Sequence, residues 1–321
     1  MKQKVYITRK LPDEIVDRMR EKYEVRMWEE EEIPVPREVL EKEIEQVDGL
    51  LCLLTEQMDQ PLLKYANNLK VVANMAVGYN NIDVDEARAR GVVVTNTPGV
   101  LTETTADLTF ALLMATARRI PEASEYLRHG KWETWSPMQL TGQDIHGATL
   151  GIIGLGRIGE AVARRAKGFD MNVLYHNRSR HHEAEEAQGL QYVEFDELLK
   201  ESDFVCVLTP LTKETENMIG REQLAKMKKT AILVNTARGG IVNEDALYDA
   251  LKNNEIWAAG LDVFAKEPVS VKHRLLTLPN LVTLPHIGSA SIQTRMKMAE
   301  VAAMNMMCVL DGEEAPNKIR E

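Results

Sequence analysis

Cysteine is scarce: the 321-residue sequence has three, Cys52, Cys206 and Cys308, far apart along the chain. Their odd number and wide spacing fit neither a disulfide framework nor a zinc site. We therefore expect buried apolar thiols and no metal. No apolar run approaches the ~18 residues that cross a bilayer. The opening segment MKQKVYITRK also lacks the apolar core of a secretory signal. A soluble, cytoplasmic protein with no membrane partner is the expectation. Basic residues are outnumbered, 39 Lys and Arg against 49 Asp and Glu, for a net charge of −10. That balance removes any general footprint for nucleic acid and leaves room only for local basic pockets. Internal repeats and low-complexity stretches are missing as well.

What is present is ordinary globular composition, 44% apolar and 27% charged. At about 150 residues per domain the length suggests two domains. A chain this long can bury roughly three quarters of its unfolded surface without covalent staples. Short apolar runs alternate with helical periodicity, the pattern of parallel α/β sheets. Strands are expected at Lys4–Thr8, Gly49–Leu54, Leu69–Ala73 and Gly91–Thr95, with helices at Pro12–Lys22 and Pro61–Ala66. The acidic run Glu29–Glu32 reads as solvated chain. After the break at Thr97-Pro98-Gly99 a long helix is expected from Thr102 to Arg119, followed by an irregular Trp-rich stretch. A second set of strands follows at Thr149–Ile153, Asn172–Tyr175, Phe204–Leu208, Ala231–Asn235, Ala258–Asp262 and Leu281–Leu284. The last helix, Ser291–Leu310, carries a Met- and Ala-rich stripe that reads as core.

Gly154-Leu155-Gly156-Arg157-Ile158-Gly159 matches G-x-G-x-x-G between an apolar strand and a helical face. In that setting the first glycine permits the turn, the second lets a pyrophosphate approach, and the third packs helix on strand. Backbone N–H groups at the helix N-terminus then bind the phosphates. About 20 residues beyond such a loop an acid normally holds the ribose 2′-hydroxyl of NAD. Here Asn177 takes that position and is followed by Arg178, Ser179 and Arg180. Guanidinium groups with a hydroxyl donor suit a 2′-phosphate. NADP(H) is therefore expected as the preferred cofactor, with NAD(H) also possible.

Three more segments end predicted parallel strands, where open α/β sheets bind ligands. Arg238 lies in Asn235-Thr236-Ala237-Arg238-Gly239-Gly240. Asp262 and Glu267 lie in Leu261-Asp262-Val263-Phe264-Ala265-Lys266-Glu267-Pro268. His286 lies in Pro285-His286-Ile287-Gly288-Ser289. With Val77-Gly78-Tyr79-Asn80-Asn81-Ile82-Asp83 and Glu103-Thr104-Thr105-Ala106-Asp107, these motifs resemble the D-isomer specific 2-hydroxyacid dehydrogenases. Within that family the likeness is to the glyoxylate/hydroxypyruvate reductases, and it covers essentially the whole chain.

The resemblance implies two doubly wound parallel-sheet domains. A flavodoxin-like substrate domain, residues 1–99 completed by 290–321, would be split around a Rossmann domain at 100–289 carrying a dimerisation segment at about 120–145. It implies reduction of a small 2-oxo acid to a 2-hydroxy acid by hydride transfer, and a homodimer. His286 would be the general acid, Glu267 its hydrogen-bonded partner, and Arg238 the clamp on the substrate carboxylate. Backbone N–H groups of Val77 and Gly78, with Ser289 and a Trp135 supplied across the dimer, would complete the substrate site. The Gly154 loop, the turn from Asn177 to Arg180, Thr105, Thr209, Pro210, Thr236, Ala237 and Asp262 would line the cofactor. Ending at Glu321, the sequence is expected to lack the regulatory tail of long phosphoglycerate dehydrogenases. Reduction of larger sugar acids such as 2-ketogluconate is an alternative substrate class, and a dinucleotide-sensing, corepressor-like binding protein an alternative of another kind.

Overall fold

A computed structural model describes residues 2–320. The chain divides into two compact units, one running to Leu101 and resuming at Ala290, the other Thr102–Ser289.

The first unit holds five strands: β1 Lys4–Ile7, β2 Glu24–Met27, β3 Gly49–Cys52, β4 Val71–Asn74 and β5 Val93–Thr95. They lie in the order β2-β1-β3-β4-β5 and every pairing is parallel. β3 and β4 are buried throughout, as strands covered by helices on both faces must be. The Ile292–Leu310 helix lies on β3 and β4. Gly49 makes room for it, because a side chain there would run into Met306. Met298, Ala299, Val301, Ala303 and Met306 of that helix are buried, whereas Met296, Cys308 and Val309 are only half-buried. Cys308 thus departs from the expectation of three buried thiols, which Cys52 and Cys206 follow.

The second unit continues with β6 Thr149–Ile153, β7 Asn172–His176, β8 Gln191–Tyr192, β9 Phe204–Val207, β10 Ile232–Asn235, β11 Ala258–Leu261 and β12 Leu281–Thr283. Their order is β12-β11-β10-β9-β6-β7-β8, again all parallel. Alternate residues enter two separate cores. Ile152, Cys206, Ile232 and Val234 pack on one face, and Ile153, Val205, Val207 and Leu233 on the other. The strand order reverses between β6 and β9, the switch point at which such sheets open a crevice for a ligand.

Strand pairing fixes where that crevice is lined. His176, Ile153, Val207, Asn235, Leu261 and Thr283 form one row across the sheet. Every loop carrying an expected cofactor or catalytic residue of this unit, Thr105 and Ser289 apart, leaves the sheet within three residues of that row.

Several elements differ from the expectation. The helix from Thr102 stops at Ala117, and Arg119 turns left-handed (φ 52°) before a second helix, Ile120–Arg128. None of that second helix is buried, although Ile120, Ala123 and Leu127 fall at helical spacing. β2 was missed because it is a half-exposed edge strand with charges at Glu24 and Arg26, and β8 because it is two residues long. The helices Arg37–Ile44 and Val84–Ala89 are short and charged.

Candidate active site

The glycine loop follows the spatial logic of its motif. Gly154 has φ +97°, and a Cβ there would meet the backbone of Leu208 and Thr209, so β6 and β9 close tightly above it. A Cβ at Gly159 would lie 2.6 Å from the carbonyl oxygen of Gly154. At Gly156 nothing stands within 4 Å of such an atom. The middle glycine therefore borders open space, and the helix that follows, Arg157–Lys167, has no side-chain cap on its N-terminus. Uncapped N–H groups facing open space are what a pyrophosphate requires, so the loop fits a dinucleotide. Leu155 is fully buried, while Gly156 and Arg157 are exposed.

Asn177 does not simply stand where an acid would. Its Oδ1 accepts from the Leu155 N–H at 2.7 Å and its Nδ2 donates to the Leu155 carbonyl at 3.2 Å. The side chain splints the glycine loop from the end of β7, which only a group with both a donor and an acceptor can do. Arg180 also departs from expectation. It is a two-pronged partner of Glu185, with Nε at 3.0 Å and Nη2 at 2.5 Å, and lies over the Tyr192 ring. Arg180 and the Tyr175 hydroxyl together hold the Glu185 carboxyl down to about 2. Arg178 and Ser179 are exposed, and among the described residues Arg178 makes no hydrogen bond or ion pair. Of the two expected arginines, only Arg178 is without a hydrogen-bonded or ion-paired partner among the described residues, its charge acting at longer range on Glu214.

Around the opposite half of the row the acid–base candidates converge. His286 Nδ1 lies 2.7 Å from Glu267 Oε2, and Glu267 Oε1 accepts from the Phe264 N–H at 2.9 Å. Burial opposes ionisation of Glu267. The hydrogen bonds from His286 and Phe264, with the nearby charges of His286 and Arg238, outweigh it and hold the carboxyl below its ordinary value. Burial likewise pulls the Arg238 guanidinium below its usual range, with Glu267 pulling the other way. Arg238 Nη1 donates to the Ala237 carbonyl at 2.7 Å.

Two residues that shape this half were missed or misread in the sequence. Asn235, fully buried at the end of β10, donates to the Arg238 carbonyl at 2.9 Å and accepts from Ala237 at 3.0 Å. Its only signal was an amide inside an apolar strand. Asp262, expected along the cofactor, is fully buried and committed to the chain: its carboxylate accepts from the N–H groups of Ile287 and Gly288, both at 2.8 Å. Burial pushes its carboxyl above the ordinary value against the pull of those two donors. Asp262 is thus the brace of the His286 loop. Thr105 lies beside Gly288, and Thr236 shares a 2.6 Å hydroxyl contact with Thr109. Thr209 is half-buried beside Gly154, Pro210 is exposed, and Ser289 is half-buried at the end of this unit. Trp135 is 76% exposed and touches none of these residues' loops through any hydrogen bond or ring contact among the described residues. Val77 and Gly78 belong to the other unit. Among the described residues no group of three or more His, Cys, Asp or Glu is arranged to hold a metal, and no helix is long and apolar enough to cross a membrane.

The sequence model of the D-isomer specific 2-hydroxyacid dehydrogenase NAD-binding domain matches residues 110–288, the stretch that holds the glycine loop, the Asn177 turn, Arg238, Asp262, Glu267 and His286. The chain belongs to that family. It is an oxidoreductase built to work with a nicotinamide dinucleotide. Among relatives of the family, a glyoxylate reductase of Korarchaeum cryptofilum is 50% identical over 100% of this chain and 97% of its own. One from Thermococcus litoralis is 49% identical over 100% and 98%. A crystal structure from Thermus thermophilus superposes with a TM-score of 0.92 at 45% identity, covering 99% of this chain and 100% of that one. An NADPH-dependent glyoxylate/hydroxypyruvate reductase from Sinorhizobium meliloti, solved with NADP and malonate, gives 0.84 at 34% identity over 99% and 97%.

Replacing Asp262 by Asn tests the brace. The amide keeps one acceptor and turns a donor toward a backbone N–H, leaving it unpaired, which costs about 1–3 kcal/mol. Urea denaturation of Asp262→Asn should show a loss of that size. A midpoint equal to that of the unaltered protein would show that the two N–H groups do not depend on the carboxylate.

Proposed function

We propose that this chain reduces glyoxylate, and hydroxypyruvate with it, to the corresponding 2-hydroxy acid, with NADPH preferred over NADH. The observation that carries the reading is the hydrogen-bonded His286–Glu267 pair with the Arg238 charge beside it, in a chain similar along its whole length to glyoxylate reductases.

When bound, the nicotinamide supplies hydride to C2 of the 2-oxo acid. With Nδ1 engaged by an ionised carboxylate, His286 has Nε2 left to deliver a proton to the oxygen that becomes a hydroxyl. Glu267 fixes the ring's orientation and its tautomer through Nδ1. Arg238 offers a planar fork to the substrate carboxylate and carbonyl, and being a guanidinium it stays charged although burial disfavours its charge. Backbone N–H groups of Val77 and Gly78 are a second hold on the carboxylate, and Ser289 a further polar contact. Thr105, Thr209, Pro210, Thr236 and Ala237 line the cofactor.

For the 2′-phosphate, Arg178 and Ser179 are the contacts, with Arg180 held back by Glu185. Asn177 contributes by being neutral and by stiffening the glycine loop. An Asp there would set a carboxylate oxygen against the Leu155 carbonyl, so exchanging that residue would disturb the loop as well as the cofactor preference.

The working form is a homodimer joined through the segment from about 120 to 145. Ile120, Leu127, Trp132, Trp135 and Met138 are all exposed there, the residue types that populate interface cores. Trp135 would then reach the partner's site.

The primary test is NADPH oxidation on mixing with glyoxylate or hydroxypyruvate. His286→Asn should keep cofactor binding and lose at least ~100-fold in kcat. Turnover near that of the unaltered protein would remove His286 from the reaction. For the cofactor, Arg178→Ala should cost about 10-fold in kcat/KM with NADPH and leave NADH unchanged, the worth of one exposed charge-assisted bond. Equal effects on both cofactors would mean that Arg178 does not read the phosphate. Light scattering at micromolar concentration should give twice the chain mass, and a monomer in active samples would defeat the dimer.

A further inference from the structure

In the first unit three asparagines form a chain of hydrogen bonds that ends on the loop after β4. Asn317 Nδ2 donates to Asn305 Oδ1 at 3.2 Å, Asn305 Nδ2 donates to the Asn96 carbonyl at 3.0 Å, and Asn96 Nδ2 donates to the Val77 carbonyl at 2.8 Å. The Asn96 N–H also reaches back to the Asn317 carbonyl at 3.2 Å. Asn305 is fully buried on a helix face whose other buried residues, Thr294 apart, are Met, Ala, Val and Leu. A buried amide on such a face is costly unless both its halves are paired, and here both are.

The bond to Val77 has a directional consequence. In a trans peptide the carbonyl and the following N–H point opposite ways, so gripping the Val77 oxygen sets the direction of the Gly78 N–H. A second amide does the same one residue on: Asn74 Nδ2 donates to the Gly78 carbonyl at 2.9 Å. Asn74 and Asn96 occupy equivalent places, each one residue beyond the row Ile7, Leu51, Ala73, Thr95 across the sheet. Asn81 ties the far end of the loop to the carbonyls of Leu53 and Glu56 at 3.1 and 3.0 Å.

We infer that Asn96 and Asn305, with Asn317 behind them, are positioning residues for the substrate carboxylate, aiming the Gly78 N–H through the Val77 carbonyl. The inference rests on the proposed role of the Val77–Gly78 backbone. It gives the segment after residue 290 an indirect part in substrate binding, through Asn96.

The test uses the full-length protein with Asn96→Ala, Asn305→Leu and, should the buried change prevent folding, Asn317→Ala at the half-buried end of the chain of bonds. Four quantities are read: KM and kcat for glyoxylate, the inhibition constant of oxamate as an unreactive 2-oxo acid mimic, and NADPH affinity. The expected result for Asn96→Ala is a rise of roughly 10-fold in KM and in the oxamate constant together, within what misplacement by about 1 Å can cost. Asn305→Leu and Asn317→Ala should follow with smaller rises, and NADPH affinity should stay constant. Hydrogen exchange of the segment 74–83 should quicken in the same order. Unchanged KM and oxamate constants in folded variants would overturn the inference, and so would an equal loss of NADPH affinity. If the unaltered protein fails to reduce glyoxylate, the proposed activity falls by itself. The positioning role is then decided by hydrogen exchange, where unchanged protection of 74–83 refutes it.

Discussion

Parallel pairing is the constraint on which both units depend. A parallel strand can be joined to its neighbour only by a crossover, and crossovers in one sheet are almost always right-handed. Every strand therefore ends on the same edge, and every loop that follows a strand starts there. The row from His176 to Thr283 makes this concrete, since the glycine loop, the Asn177 turn, the Arg238 segment and the Asp262 and His286 loops all leave from it. Residues as far apart in sequence as Ile153 and Thr283 come to lie along one edge without any one of them having to be held by a long excursion of the chain.

Proximity alone does not give a loop a fixed shape, because loop backbone has lost the strand's ladder of hydrogen bonds. One solution recurs in both units. An amide or carboxylate side chain at or just past a strand end grips the backbone of an adjacent loop: Asn177 holds Leu155, Asn235 holds Ala237 and Arg238, Asp262 holds Ile287 and Gly288, Asn74 holds Gly78, and Asn96 holds Val77. Short side chains lose little rotamer freedom, and a buried bond to backbone is well worth its entropy. Such residues belong to the framework of the site even where chemistry belongs to their neighbours.

This division explains what the sequence made legible. The strands of both sheets other than β2 and β8 could be read from apolar runs, and the glycine loop from its spacing, because a motif whose residues are required by steric contact writes itself into sequence. Gly154 and Gly159 are examples, each closed in by backbone. The convergence of Arg238, Glu267 and His286 was legible from their shared position at strand ends. Partnership was not. Nothing local to Arg180 says that Glu185 will hold it, and nothing local to Asp262 says that its oxygens will turn to Ile287 and Gly288 rather than outward. Elements without a buried face were equally invisible. The Ile120–Arg128 helix has no buried residue within its own chain, so its apolar positions look like surface until a partner surface is considered.

The clearest case of framework serving chemistry is the backbone of His286, which lies in the left-handed region at φ 54°. For a residue with a side chain that conformation costs roughly 1–2 kcal/mol and persists only when its surroundings over-determine it. They do so here. The His286 N–H donates to the Asp262 carbonyl at 2.9 Å, the next two N–H groups donate to the Asp262 carboxylate, and the ring is tied to Glu267. Bonds to a charged acceptor contribute about 1.5–3 kcal/mol each, so a few of them exceed the cost of the strained residue. At this left-handed residue the imidazole meets Glu267, while the chain continues to Ile287 and Gly288, whose N–H groups meet the Asp262 carboxylate. The left-handed residue thus stands between a ring held by the Glu267 carboxylate and a following stretch of backbone held by the Asp262 carboxylate, with its own N–H on the Asp262 carbonyl.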